Sequence, residues 1–288
     1  MIWISSTKKR LVEFWKIKIC KAMELSNEKI FFKSISVDLL SYVEKNIEKK
    51  RLFYYKKEDE KKLNVGTEMD MHVEKIIIEG IRKQFPNDLI LSEETNAHQK
   101  IIENGRLWIV DPICGTISMS RGIKMFCTNI ALVSNGKIVA SCVIDYDRKE
   151  YVWSVGQGKV YVNNASLISE QHGEDIFVDI NTGAIPYWNK HIRKVSKDMF
   201  AKLILVGNFR ITHYATSLAF LYVATGKING YISPFNHVWD AVAANFLIEQ
   251  AGGIVTDLYG KPWTFTSSSA VGAVDKTLHK KLLSFINS

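Results

Sequence analysis

The chain has 288 residues, of which 47% are hydrophobic and 24% charged, and a formal net charge of +8. This is an ordinary soluble globular balance, long enough for one large domain or two packed lobes. No apolar run approaches the ~18 residues a helical membrane span requires, and the four cysteines show neither metal-ligand nor disulfide-framework spacing.

In chain order, residues 1–28 form a basic extension, with Lys8, Lys9, Arg10, Lys16, Lys18 and Lys21 ahead of a second cluster at Lys49-Lys50-Arg51 and Lys56-Lys57. The bias suits an anionic partner: a phosphorylated metabolite, nucleic acid or an acidic membrane surface. No aromatic-interleaved basic motif supports nucleic acid. Apolar residues from Ile30 to Ile47 recur at helical period and predict a helix over 28–48, followed by a charged loop or hairpin over 50–64. Thr67-Glu68-Met69-Asp70 has the form of a capping box opening a second helix, which Phe85-Pro86 stops. Leu89–Leu91 and Leu107–Val110 are short apolar strands, ending at Ser92-Glu93-Glu94 and at Asp111.

Period-two segments at 127–133, 137–145, 150–154 and 159–162, separated by hairpin signals such as Asn135-Gly136, predict an antiparallel meander. Beyond it the pattern predicts strands near 176–180 and 203–207, helices near 188–200 and 214–225, a strand at Tyr231-Ile232 and a helix over 240–251. Strands at 254–256 and 270–273 and a last helix over 275–286 complete the chain. The alternation predicts an α/β protein, α+β in its N-terminal part, with lobes over 29–165 and 166–288. The cysteine pattern places it in a reduced, cytoplasmic compartment.

Each acid has a structural explanation when taken alone: Asp70 as a capping-box member, Asp240 as an N-cap, Glu93-Glu94 as a strand end and Asp111-Pro112 as a turn. Three of these acids, however, flank short apolar strands, where open α/β sheets place ligands. Ser92-Glu93-Glu94, Trp108-Ile109-Val110-Asp111-Pro112-Ile113-Cys114-Gly115-Thr116 and Trp239-Asp240, with Ala251-Gly252-Gly253, resemble the inositol monophosphatase superfamily in order and spacing. The resemblance implies a layered αβαβα sandwich and a Mg²⁺-dependent phosphomonoesterase, in a family whose members are often homodimers. It implies Glu93, Asp111, the Ile113 carbonyl and Asp240 as metal ligands, and Asp70, Thr116 and Glu93 as catalytic residues. Gly115, Thr116, Ser233 and Asp240 are the implied substrate contacts. Mg²⁺ favours clustered oxygen ligands of this kind.

The family's pattern has aspartate where this chain has Cys114. A thiol is mostly neutral at pH 7 and prefers softer ions than Mg²⁺. Three readings follow: a phosphatase with a weakened second metal site, open instead to Mn²⁺ or Zn²⁺; a pseudoenzyme that binds or regulates; and a Cys114 nucleophile with different chemistry. Substrate choice is weakly encoded. Ser233 stands where inositol-specific members have a glutamate for ring hydroxyls, which leaves sugar, inositol and nucleotide phosphates all open.

Overall fold

The computed structural model describes residues 25–50, 53–55, 65–100, 104–168, 175–182, 189–205 and 208–286. Most of the basic N-terminal extension (residues 1–24) and most of the charged 50–64 segment lie outside these. Helix α1 (Ser26–Lys50) buries Phe31, Ile35, Leu39 and Val43, a spacing of four that keeps them on one face. Strands β1 (Phe53–Tyr55) and β2 (Val65–Thr67) pair antiparallel and lead into α2 (Glu68–Gln84). The capping box forms as its sequence predicts: Thr67 Oγ1 accepts from the Asp70 amide at 3.3 Å, and Asp70 Oδ2 accepts from the Thr67 amide at 2.9 Å.

Seven strands follow in one sheet, ordered β3-β4-β5-β6-β7-β8-β9. They are β3 (Leu89–Ser92), β4 (Arg106–Cys114), β5 (Cys127–Ser134), β6 (Lys137–Asp145), β7 (Glu150–Ser154), β8 (Tyr161–Val162) and β9 (Ala165–Ser166). Only β3 and β4 run parallel; the rest form the antiparallel meander. Side chains alternate between two cores. Trp108, Val110, Ile130 and Leu132 pack with α1 and α2, whereas Leu107, Ile109, Ala131 and Val133 face the other way.

That second face meets α5 (Leu218–Ala224) and α6 (Val238–Gln250). Residues Ala241 to Ile248 of α6 are all buried, because the helix lies between two sheets and has no solvent side. The second sheet, ordered β11-β10-β12-β14-β13, comprises β10 (Phe177–Ile180), β11 (Arg210–Thr212), β12 (Gly230–Ser233), β13 (Ile254–Thr256) and β14 (Ala270–Ala273). Val178, Ile232 and Val271 on its outer face pack with α4 (Lys190–Leu205) and α7 (Lys276–Ile286). The layers are therefore helix, sheet, helix, sheet, helix. With α3 (Thr116–Ser120), a single turn after β4, the element list is complete.

Three expectations need correction. Residues 203–205 are the end of α4, not a strand. Met199 and Leu203 keep helical spacing against the sheet while Ile204 and Leu205 point outward, and the strand falls later, at 210–212. The helix expected at 214–225 begins only at Leu218, because Ala215 takes a left-handed backbone (φ 55°). Asp240 is not an N-cap: His237 holds that position, and Asp240 sits one turn in, accepting from the His237 amide at 2.9 Å. Among the described residues, no helix is long and apolar enough to cross a membrane.

Candidate active site

The site begins with an irregularity in β4. Asp111 pairs with Asn129 and Cys114 pairs with Cys127, so three steps on β4 oppose two on β5. In a regular strand, residues three apart point to opposite faces. Pro112 has no amide to give the ladder, and one extra residue is accommodated there as a bulge. As a result Asp111 and Cys114 emerge on the same side, and Ile113 turns into the opposite core. The bulge is pinned by Thr128 Oγ1, which donates to the Pro112 carbonyl at 2.6 Å.

Immediately after it, Gly115 adopts φ 104° and starts α3. A Cβ there would lie 2.5 Å from the Met125 carbonyl oxygen and 2.7 Å from the Thr216 methyl, so only glycine fits. The turn delivers Thr116, whose Oγ1 donates to Asp70 Oδ1 at 2.7 Å, with the Ile113 carbonyl 3.0 Å away as a second acceptor. Asp70 thus does two jobs: one oxygen caps α2 and the other takes the Thr116 hydroxyl. Burial pushes its carboxyl up to about 6, with Glu93 adding to the rise and the Thr67 and Thr116 hydroxyls opposing it.

Helix α6 brings Asp240 to the same place. One ligand atom each from Asp111, Cys114 and Asp240 lie within 4.8 Å of one another. Asp111 is completely buried, and its Oδ1 has no hydrogen-bond partner. Its carboxyl is pushed well above the ordinary range, first by burial and then by Cys114, Glu93 and Asp240. Glu93, at the exit of β3, therefore joins the group electrostatically, being felt by both Asp70 and Asp111. Ser233 is buried on β12, with its hydroxyl donating to the Phe235 carbonyl at 3.0 Å.

Three further residues hold this group together. Glu74, one turn after Asp70 and buried, accepts the amides of Glu94 and Thr95 at 3.2 Å each and so fixes the turn carrying Glu93. Asn129 Nδ2 reaches Asp111 Oδ2 at 3.4 Å and Ser217 Oγ at 2.9 Å. Ser217 Oγ donates to the Asp240 carbonyl at 2.5 Å and lies 3.0 Å from Cys114 Sγ. Cys127 beside it is the largest cause raising the Cys114 thiol, with burial second. That direction is opposite to an activated nucleophile. The signal available for Glu74 was its i+4 spacing from Asp70; the Asn129–Ser217 contact had none, because it depends on pairing across the fold.

The inositol monophosphatase family profile matches residues 30–288. The chain belongs to the inositol monophosphatase family. Inositol-1-monophosphatase of Bacillus subtilis is 27% identical over 218 residues, covering 75% of this chain and 81% of the relative. Nus factor SuhB of Pasteurella multocida is 29% identical over 217 residues, covering 75% and 80%. The extragenic suppressor protein suhB of Bartonella henselae shares the fold, with a TM-score of 0.75 at 21% identity over 92% of this chain and 99% of that one. The family is one of metal-dependent phosphatases, and the Asp111–Cys114–Asp240 group is a place where this chain can hold an ion.

Proposed function

We propose that the chain hydrolyses a small phosphomonoester, a sugar, inositol or nucleotide phosphate, with a metal-activated water. The observation that carries this reading is the Thr116–Asp70 hydrogen bond, which stands beside the acids Glu93 and Asp111 although the partners come from separate stretches. The residues fit a hard cation at one end of the site. Glu93, Asp111 and the Ile113 carbonyl would supply oxygens, and the orphaned Oδ1 of Asp111 is a buried acceptor that an ion would satisfy. At the other end, Asp111 and Asp240 are joined by Cys114, which lacks the oxygen that Mg²⁺ prefers. Held at the first end, Mg²⁺ would polarise the phosphoryl oxygens.

The chain's own residues handle the water. With its proton directed to Asp70, Thr116 Oγ1 presents lone pairs to one water hydrogen and so orients the oxygen toward phosphorus. As the water attacks, its proton passes to Thr116 and the threonine proton to Asp70. A carboxyl held near 6 is well suited to accept it close to neutral pH. Gly115, Thr116 and Asp240 would contact the phosphate. Ser233 would have to leave the Phe235 carbonyl to reach a substrate hydroxyl.

A second reading, a binding protein without turnover, is favoured by Cys114 alone. Phosphate release from a panel of sugar, inositol and nucleotide phosphates, with Mg²⁺, Mn²⁺ and Zn²⁺ compared, separates the two. Turnover by the wild type supports the phosphatase. Turnover only after Cys114→Asp supports the binding protein. Folded wild type and Cys114→Asp that both fail with every metal would falsify the phosphatase reading.

A further inference from the structure

We propose that Asp111, Cys114 and Asp240 form a binding site for a thiophilic divalent cation of the zinc class, in place of a second hard cation. The inference shares its residues with the phosphatase reading but does not depend on turnover. Tetrahedral zinc with bonds of about 2.0–2.3 Å separates its ligand atoms by roughly 3.3–3.8 Å. The three ligand atoms already lie within 4.8 Å of one another, so closure onto an ion needs shifts of about 1 Å, within the reach of side-chain rotation.

Two independent features point to an ion. Asp111 Oδ1 is buried without a partner, a costly state that a cation would relieve. The donors are also held by a connected outer layer. The Ser217 amide donates to Cys114 Sγ at 3.2 Å, a bond that persists when the sulfur carries a metal instead of a proton. Ser217 Oγ ties to the Asp240 carbonyl, and Asn129 links Ser217 to Asp111. Such second-layer bonds orient ligands and tune metal affinity.

The donor set decides the ion. Magnesium needs near-octahedral oxygen and gains little from sulfur, whereas one thiolate with two carboxylates leaves a tetrahedral ion an open fourth position. Binding replaces the thiol hydrogen by a sulfur–metal bond and releases one proton to the buffer, without oxidation.

The test uses tag-free, metal-stripped, reduced full-length protein titrated with Co²⁺ and Cd²⁺, reading the thiolate-to-metal charge-transfer absorption, and with Zn²⁺ by competition against a chromophoric chelator. We expect one equivalent per chain to produce the band. Asn129→Ala should weaken zinc about 10–100-fold with the band retained. Cys114→Ser should abolish the band and weaken zinc further, while Cys127→Ser keeps it. No band in the wild type, or a band that survives Cys114→Ser in protein with an unchanged circular dichroism spectrum, overturns the proposal. If the band is absent while phosphate release persists, only this proposal falls. If the band is present and no phosphate is released, only the phosphatase reading falls.

Discussion

Thr116 Oγ1 and Asp70 Oδ1 lie 2.7 Å apart, joining the turn after β4 to the first turn of α2 across 46 residues of sequence. The pair predicts a separation between activity and stability. Asp70→Asn keeps the shape but removes the proton acceptor, and Thr116→Ala removes the relay. Each should lower kcat by about 10²–10⁴-fold with little change in KM. Asp70→Asn also relieves a desolvated charge, so its melting temperature should not fall in proportion. Steady-state phosphate release and thermal unfolding on the same preparations check this. Equal losses in both would reduce the pair to a helix cap.

Gly115 and Gly252 both have positive φ, 104° and 92°, but their surroundings differ. A methyl at Gly252 meets nothing within 4 Å, whereas one at Gly115 runs into the Met125 carbonyl. Gly252→Ala should therefore cost only the left-handed backbone penalty of about 1 kcal/mol. Gly115→Ala should exceed it by at least about 1–2 kcal/mol, since the neighbour is backbone and cannot rotate away. It should also displace Thr116 and reduce turnover. Urea unfolding of the two variants measures the difference.

How far the sequence discloses this arrangement depends on whether a signal is local. The capping box at Thr67–Asp70 and the meander were legible, because each rests on near-neighbour chemistry or on period-two alternation, whereas the layered fold followed only from the family resemblance. The Asp-Pro-Ile-Cys-Gly-Thr run was legible as a motif, but the bulge that turns Asp111 and Cys114 to one side appears only when β5 is laid beside β4. The apolar run Leu203–Leu205 misled in the opposite sense. Three apolar residues fit a strand or a helix end equally, and the outcome is set by packing of Met199 and Leu203. The contact between Asn129 and Ser217 stayed invisible because an asparagine and a serine 88 residues apart carry no pattern.

Arg106 holds the N-terminal helix to the first sheet. Its guanidinium binds Glu28 at 2.7 Å and Asp88 at 2.9 Å, and the Glu28 side chain is only 1% exposed. Removing the arginine leaves that carboxylate buried with no countercharge. Arg106→Met should therefore destabilise by about 3–5 kcal/mol, whereas Arg106→Met combined with Glu28→Leu should recover much of the loss. Denaturant midpoints for the single and double variants test the coupling. Additive losses would mean that the pair contributes nothing specific.

Asp179 offers a pH test on a buried acid that is not one of the motif acids. On β10 it is fully buried, with Oδ2 accepting from the Tyr214 amide at 2.8 Å and Oδ1 unpaired. Burial pushes its carboxyl from 3.8 up to about 6, against the opposing hydrogen bonds and His213. Below the unfolded value both states are protonated and the contribution to stability is fully present. As pH rises toward 6 the unfolded chain loses its proton first, so the contribution is progressively lost, by up to about 3 kcal/mol. Asp179→Asn cannot ionise and should escape this term. Its stability relative to wild type should therefore increase from pH 4 to pH 7, as read from urea midpoints across that range. A difference that stays constant with pH would show that Asp179 does not titrate in this window.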